Sequence, residues 1–158
     1  MRNFMIFMAL LVTTLQANAQ SIAPRDGWAV YPTSYSYNQL VKRTRSAISK
    51  APIGIVTQAS ATVGAKSQGI KIPGNIVIGV YRNDYARRML AASVAAGIEA
   101  PIRLYITENE DKTATLSYKT ASAVFAPYMD EGGQELRDLA NELDGVLQKI
   151  AQKAAPAQ

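Results

Sequence analysis

The chain has 158 residues, of which 48% are hydrophobic and 18% are charged, as in an ordinary globular domain. It contains no Cys and no His, which excludes disulfides, thiol nucleophiles, imidazole bases, His-ligated haem and nearly all zinc sites. The formal net charge of +5 is mild and suits an anionic small molecule or an acidic protein partner. We therefore expect no cofactor and no metal site.

Residues 1–19 have the three parts of a secretory signal peptide. A basic start at Arg2 precedes the apolar run Phe4–Val12, and the small residues Ala17 and Ala19 form the exit. We expect cleavage after Ala19 and a periplasmic or secreted mature protein. The alternative is an uncleaved membrane anchor, but the apolar run is shorter than the roughly 18 residues that a span needs. We expect no membrane span after cleavage.

The rest of the sequence predicts one domain, because its length fits a single core and no repeat or linker divides it. Residues 20–26, which contain Pro24, resemble a flexible lead-in. Residues 27–153 carry the predicted strands and helices, and residues 154–158 are predicted to be a disordered tail.

The first half of the domain begins with a short strand, Gly27–Tyr31, which we expect to stop at Pro32. A helix capped by Ser34 or Ser36 then runs to about Lys50, with an apolar stripe on one side and a basic face on the other. A second strand follows at 53–58. The stretch 59–73 is predicted to be a loop with one helical turn near 61–65.

The segment Gly74–Arg82 is a strand with apolar residues on both faces, which is typical of the centre of a sheet. Asn83 is expected to cap the next helix, with Asp84 complementing the helix dipole. This helix is predicted to run to Gly97. Its expected buried residues are Ala86, Met89, Leu90, Ser93, Val94 and Gly97.

Two strands and a long helix complete the domain. Pro101–Glu108 alternates apolar and polar residues, the charged turn 108–112 predicts a hairpin, and Thr113–Tyr118 forms its second strand. After a packed connecting segment, the helix 134–152 carries an apolar stripe. This stripe either covers the sheet or forms the seam of a homodimer.

Several of these phrases, in this order and spacing, resemble the domain of unknown function 302 (DUF302) family. They are the apolar strand ending in Ile78–Asn83, the helix through Leu90, the strand Pro101–Glu108 and the phrase Thr115–Tyr118. The chain is therefore identified as a secreted member of this family, with a resemblance that covers about residues 27–128.

The resemblance implies a compact α+β domain with a curved antiparallel sheet of about five strands, in the order β-α-β-β-α-β-β-α, and helices packed on it. It also implies frequent dimers, no established activity and no agreed catalytic residues. The family often has Asn-Pro where this chain has Asn83 and Asp84, so a proline-dependent turn is not carried over.

The candidate binding residues are Arg82, Asn83, Tyr105 and Tyr118, where cationic and aromatic groups gather near the start of a helix. They favour a non-enzymatic protein that binds an anionic small molecule or a protein partner. One alternative is an enzyme that uses Tyr105 or Tyr118 with Glu108. Another is a dimeric interaction protein. We expect no nucleic-acid partner, because no basic stripe is interleaved with aromatic residues.

Overall fold

The computed structural model describes residues 22–157, so the predicted signal peptide and its cleavage site lie outside the described residues. The strands are β1 (Trp28–Ser36), β2 (Gly54–Ala59), β3 (Asn75–Tyr81), β4 (Ile102–Glu108) and β5 (Thr113–Lys119). The helices are α1 (Tyr37–Ile48), α2 (Ala61–Ser67), α3 (Asn83–Ala92), α4 (Ala121–Phe125) and α5 (Met129–Ala154). Short 3₁₀ helices span Ala95–Glu99 and Ala126–Tyr128.

The five strands form one antiparallel sheet in the order β1-β5-β4-β3-β2, which confirms the predicted α+β class. The helices α1, α3, α4 and α5 contact one another or the sheet and cover one of its faces. Successive side chains of a strand point to opposite faces of the sheet, and the apolar side chains of these strands point to the face that the helices cover. The largest fully buried core side chains on the strands are Ile78, Val80, Leu104, Ile106 and Leu116.

The apolar stripe of α5 packs into this core. Leu136, Leu139 and Leu147 are at most 1% exposed. Asp144 on the same helix accepts hydrogen bonds from the backbone N–H groups of Ala121 (2.5 Å) and Ser122 (3.3 Å), and therefore holds the first turn of α4. The stripe covers its own sheet and is not accessible as a dimer seam.

β1 is longer than predicted, because it continues through Pro32 to Ser36. Proline lacks a backbone N–H and is tolerated on edge strands, and β1 is an edge of this sheet. Ser36 is the N-cap of α1 and shares a capping box with Gln39, which decides between the two predicted caps. The single helical turn expected near 61–65 is the two-turn helix α2, capped by the Ser60 hydroxyl.

The prediction for α3 was wrong at both ends. Arg82, not Asn83, occupies the N-cap position, and the helix ends at Ala92. Beyond this end, Val94 is 79% exposed, and Leu90 within the helix is 46% exposed. These two side chains were expected in the buried stripe. The chain leaves the helical path at Ser93, so the 3.6-residue pattern does not extend to Val94. Leu90 lies within the helix, and the helix end does not explain its exposure.

The first two residues of the predicted disordered tail belong to the folded domain. Ala154 ends α5, and both Ala154 and Ala155 are buried. The Arg43 side chain donates from Nε to the Ala154 carbonyl at 2.7 Å and ties this end to α1. No helix within residues 22–157 is long and apolar enough to cross a membrane.

We predict that Gly79→Ala destabilises the protein by about 1–3 kcal/mol, the usual cost of overpacking a buried site. A Cβ at this central-strand position would lie 2.2 Å from Thr57 Oγ1 and 2.8 Å from Pro101 Cγ. Urea unfolding measures the change. Gly64→Ala is the matched control, because a Cβ there meets nothing within 4 Å. Equal unfolding free energies for the Gly79 variant and the wild type would contradict the packing.

Candidate binding cleft on the open sheet face

The sheet face opposite the core, here called the open face, carries its side chains in three rows that cross the strands. The first row is Trp28, Lys119, Arg103, Gly79 and Thr57. The second row is Val30, Ser117, Tyr105, Val77 and Ala59. The third row is Pro32, Thr115, Thr107 and Asn75. Strand register alone therefore groups residues that are distant in sequence.

Some residues of these rows line a cleft of about 660 Å³, here called the main cleft. Trp28 and Tyr105 supply aromatic surface, and Val77 adds an aliphatic side chain. Arg103 and Lys119 supply the positive charge. The volume lies within the range of small-molecule sites, roughly 300–1,000 Å³, and an apolar lining with a few polar groups is typical of them.

Two of the residues that line the main cleft are cations at neighbouring positions of β4 and β5. Because Leu104 pairs with Tyr118, the next position of the two strands places Arg103 beside Lys119 on the open face. Like charges opposite each other destabilise a strand pair. The one carboxylate near Arg103 in the described residues is Glu99, at 3.9 Å, and it also accepts a hydrogen bond from the Tyr128 hydroxyl at 3.0 Å. An anionic group between the two cations would relieve their repulsion.

A second cavity of about 570 Å³, here called the distal chamber, continues the open face towards the β4–β5 turn. It shares Asn75 and Tyr105 with the main cleft. Thr107 and Glu108 also line it.

The wall beside these cavities is fixed by hydrogen bonds from α2. Ser60 Oγ donates to the Asn75 carbonyl at 2.6 Å, and the Ala61 N–H donates to Asn75 Oδ1 at 3.1 Å. On the other side, the Gly74 N–H donates to the Glu108 carboxylate at 2.7 Å. That hydrogen bond, with a smaller contribution from Lys112, holds the pKa of Glu108 below its ordinary value.

The structure separates the two predicted tyrosines. Tyr105 lies on the open face in the second row, whereas Tyr118 lies on the core face, 3% exposed and stacked on Tyr31 at 6.2 Å between ring centroids. Tyr118 is nevertheless among the residues that line the main cleft. Burial raises the pKa of the Tyr118 hydroxyl far above its ordinary value. The two tyrosine side chains therefore lie on opposite faces of the sheet.

Arg82 and Asn83 lie away from both cavities. The Arg82 guanidinium donates to both carboxylate oxygens of Asp84 at 2.5 Å and to the Pro52 carbonyl at 3.0 Å. It also lies 3.7 Å from the centre of the Tyr85 ring. The hydrogen bond with Arg82 lowers the pKa of Asp84, and the same contact raises the pKa of Arg82. This guanidinium is thus committed to local partners.

Sequence reasoning missed the cleft residues Trp28, Asn75, Arg103, Thr107 and Lys119. The signal was present in the alternation of β4, where Arg103, Tyr105 and Thr107 share a polar face. The sequence does not show which residue of the adjacent strand lies beside each of these side chains. Among residues 22–157, no group of three or more acidic side chains is arranged to hold a metal ion.

The fold and the cleft define a single-domain α+β protein with an antiparallel sheet that is covered by helices on one face and carries an open-face cavity. A crystal structure of an uncharacterized conserved protein DUF302 from Bacillus stearothermophilus has this fold, with a TM-score of 0.71 at 15% sequence identity. The similarity covers 82% of this chain and 99% of that one. No curated protein matches the sequence.

The family model described as domain of unknown function DUF302 matches residues 30–154. The chain therefore belongs to the DUF302 family. The match includes β3, β4 and β5, which carry most of the open face, but it begins after Trp28.

Proposed function

We propose that this protein is an exported, non-enzymatic binding protein that holds an amphipathic organic anion in the main cleft. The observation that carries the proposal is the pair Arg103 and Lys119, which places two adjacent cations in the lining of an aromatic and aliphatic cavity. A carboxylate or phosphate would neutralise this pair, and the apolar part of the ligand would cover Tyr105 and Val77.

Binding without catalysis is supported by the chemistry of the chain. The sequence has no Cys or His, and of the two tyrosines that the enzyme alternative offers, Tyr105 lies on the open face and Tyr118 on the core face. The Glu108 carboxylate, which that alternative combines with either tyrosine, accepts a hydrogen bond from the Gly74 N–H and lies 3.3 Å from Lys112 Nζ.

A homodimer is a second candidate, and one feature favours it. Val94 and Ile98 are 79% and 78% exposed, and Leu90 on the adjacent helix is 46% exposed. Clustered apolar side chains on a surface commonly mark an interface. We place the dimer contact at this patch and not at the predicted seam on α5, because the α5 stripe is buried in the core.

We predict that dodecanoate changes the fluorescence of Trp28, the only tryptophan, whereas dodecyltrimethylammonium does not. The double substitution Arg103→Gln with Lys119→Gln should weaken dodecanoate binding at least about tenfold, because a charge-assisted hydrogen bond contributes about 1.5–3 kcal/mol. Fluorescence titration below the critical micelle concentration measures the response to each compound and the affinity for dodecanoate.

The matched control for this titration is Lys42→Gln with Lys50→Gln, which removes the same charge from exposed positions outside the main cleft. Equal losses of affinity in the two double variants would show that binding follows net charge alone. No response to dodecanoate, with none in equilibrium dialysis, would refute the proposed ligand class.

We predict that the full chain, expressed in a Gram-negative bacterium, yields a periplasmic product that begins at Gln20. Intact-mass spectrometry of the periplasmic fraction measures this start. Ala19→Trp should block cleavage, because the position before the cut requires a small residue, whereas Asn18→Gln should not. A cytoplasmic product that retains residues 1–19 would refute export.

We predict a dimer mass in sedimentation equilibrium, and a monomer mass for Val94→Ser with Ile98→Ser. Val63→Ser is the control, because Val63 is 71% exposed but lies on α2. If the wild-type protein is monomeric at every concentration tested, the proposed homodimer is wrong.

A further inference from the structure

The main cleft contains one acidic side chain beside its two cations. Among the described residues that line this cleft, Glu99 is the only carboxylate, and Arg103 and Lys119 line the cleft with it. The side chains of Glu99 and Arg103 are 24% and 61% exposed, so a ligand in the cleft can reach both of them. The cleft therefore offers a ligand two positive charges and one negative charge.

Glu99 is held in place by a tyrosine from another part of the chain. It ends the 3₁₀ helix Ala95–Glu99, and its Oε1 accepts a hydrogen bond from the Tyr128 hydroxyl at 3.0 Å. This hydrogen bond raises the pKa of Tyr128, so the hydroxyl keeps its proton at neutral pH and remains the donor. Because Tyr128 engages Oε1, the second carboxylate oxygen, Oε2, is the one nearest to Arg103.

The contact between Glu99 and Arg103 is long. Glu99 Oε2 lies 3.9 Å from Arg103 Nη2, whereas a charge-assisted hydrogen bond spans roughly 2.7–2.9 Å. Exposed ion pairs of this kind contribute little to stability. The guanidinium can therefore still bind the carboxylate of a ligand, and Oε2 can still accept a hydrogen bond from one.

The position of Glu99 decides which anions suit the cleft. A ligand whose only polar group is a carboxylate would bring that group close to the negative charge of Glu99, and like charges repel. A ligand that also carries an ammonium group would satisfy Glu99 and Arg103 together. Since the two protein groups are 3.9 Å apart, the two charged groups of the ligand must be close neighbours. In an α-amino acid a single carbon separates them.

We propose that the ligand is an α-amino acid with a long apolar side chain, whose carboxylate binds Arg103 and Lys119 and whose ammonium group donates to Glu99. This inference rests on the proposed function, because the carboxylate remains the group that the cationic pair recognises. It adds the recognition of an ammonium group on the same ligand. The apolar side chain covers Tyr105 and Val77, which also line the cleft. A quaternary ammonium group does not fit this role, because it has no N–H to donate.

The test compares 2-aminododecanoate with dodecanoate at neutral pH, by Trp28 fluorescence and by equilibrium dialysis. The wild type should bind the amino acid about three- to tenfold more tightly, the gain expected for a partly exposed charge-assisted hydrogen bond. Glu99→Gln should abolish this preference, because the amide has no charge to attract the ammonium group. It should bind dodecanoate at least as tightly as the wild type does, which also shows that the variant is folded.

The test has one control variant and one control ligand. Glu135→Gln removes the same charge from an exposed position of α5 outside the main cleft, and it should retain the preference. The ligand 2-hydroxydodecanoate replaces the ammonium group by an uncharged donor at the same carbon. The wild type should bind it less tightly than the amino acid, a result that needs no variant of the protein.

The outcomes separate this inference from the proposed function. If none of the three acids binds, the proposed function fails and this inference fails with it. If the wild type binds all three equally, or if the preference survives in Glu99→Gln, ammonium recognition is wrong while anion binding stands. If Glu99→Gln binds dodecanoate and the amino acid more tightly by the same factor, Glu99 is only a local counter-ion of Arg103, and this inference is overturned.

Discussion

The register between β4 and β5 is the constraint on which both the core and the cleft depend. Leu104 opposite Tyr118 and Ile106 opposite Leu116 place apolar side chains under the helices. The same pairing leaves Arg103, Tyr105 and Lys119 on the open face. A slip of one residue in one strand would exchange its faces and move its polar side chains into the core. The stability of the core thus also fixes the arrangement of the cleft.

This register is partly visible in the sequence. The apolar faces of Ile102–Ile106 and Ala114–Tyr118 must point the same way, which leaves only pairings that differ by steps of two residues. The choice among them is made in the turn, where the Asn109 N–H donates to the Thr113 carbonyl at 2.8 Å and Lys112 has a φ of 69°. The hairpin was predictable from the periodicity of the two strands. Periodicity does not give the turn geometry, so the pairing that makes Arg103 and Lys119 neighbours was not predictable.

The predicted site at Arg82 shows a different limit of sequence reasoning. A helix start with several arginines has the composition of an anion site. Asp84 was assigned to the helix dipole, yet its carboxylate also pairs with Arg82 two residues earlier. A partner so close in the chain forms at little cost in entropy, which favours it over an external anion. The extent of β1 through Pro32 was missed for a different reason, because only the long-range strand order reveals that β1 is an edge.

The open face departs from what sheet stability alone would favour. β4 and β5 are central strands, where aliphatic and aromatic residues usually stabilise the sheet most. Instead these strands place two cations side by side and leave the hydroxyls of Thr107 and Ser117 buried and unpaired. Local rules tend to be broken at functional sites, and here the departures lie on the same face and along the same pair of strands. Leu104, Ile106 and Leu116 on the core face of the same strands are fully buried apolar residues, so the departures are concentrated on the open face, where the proposed ligand would bind.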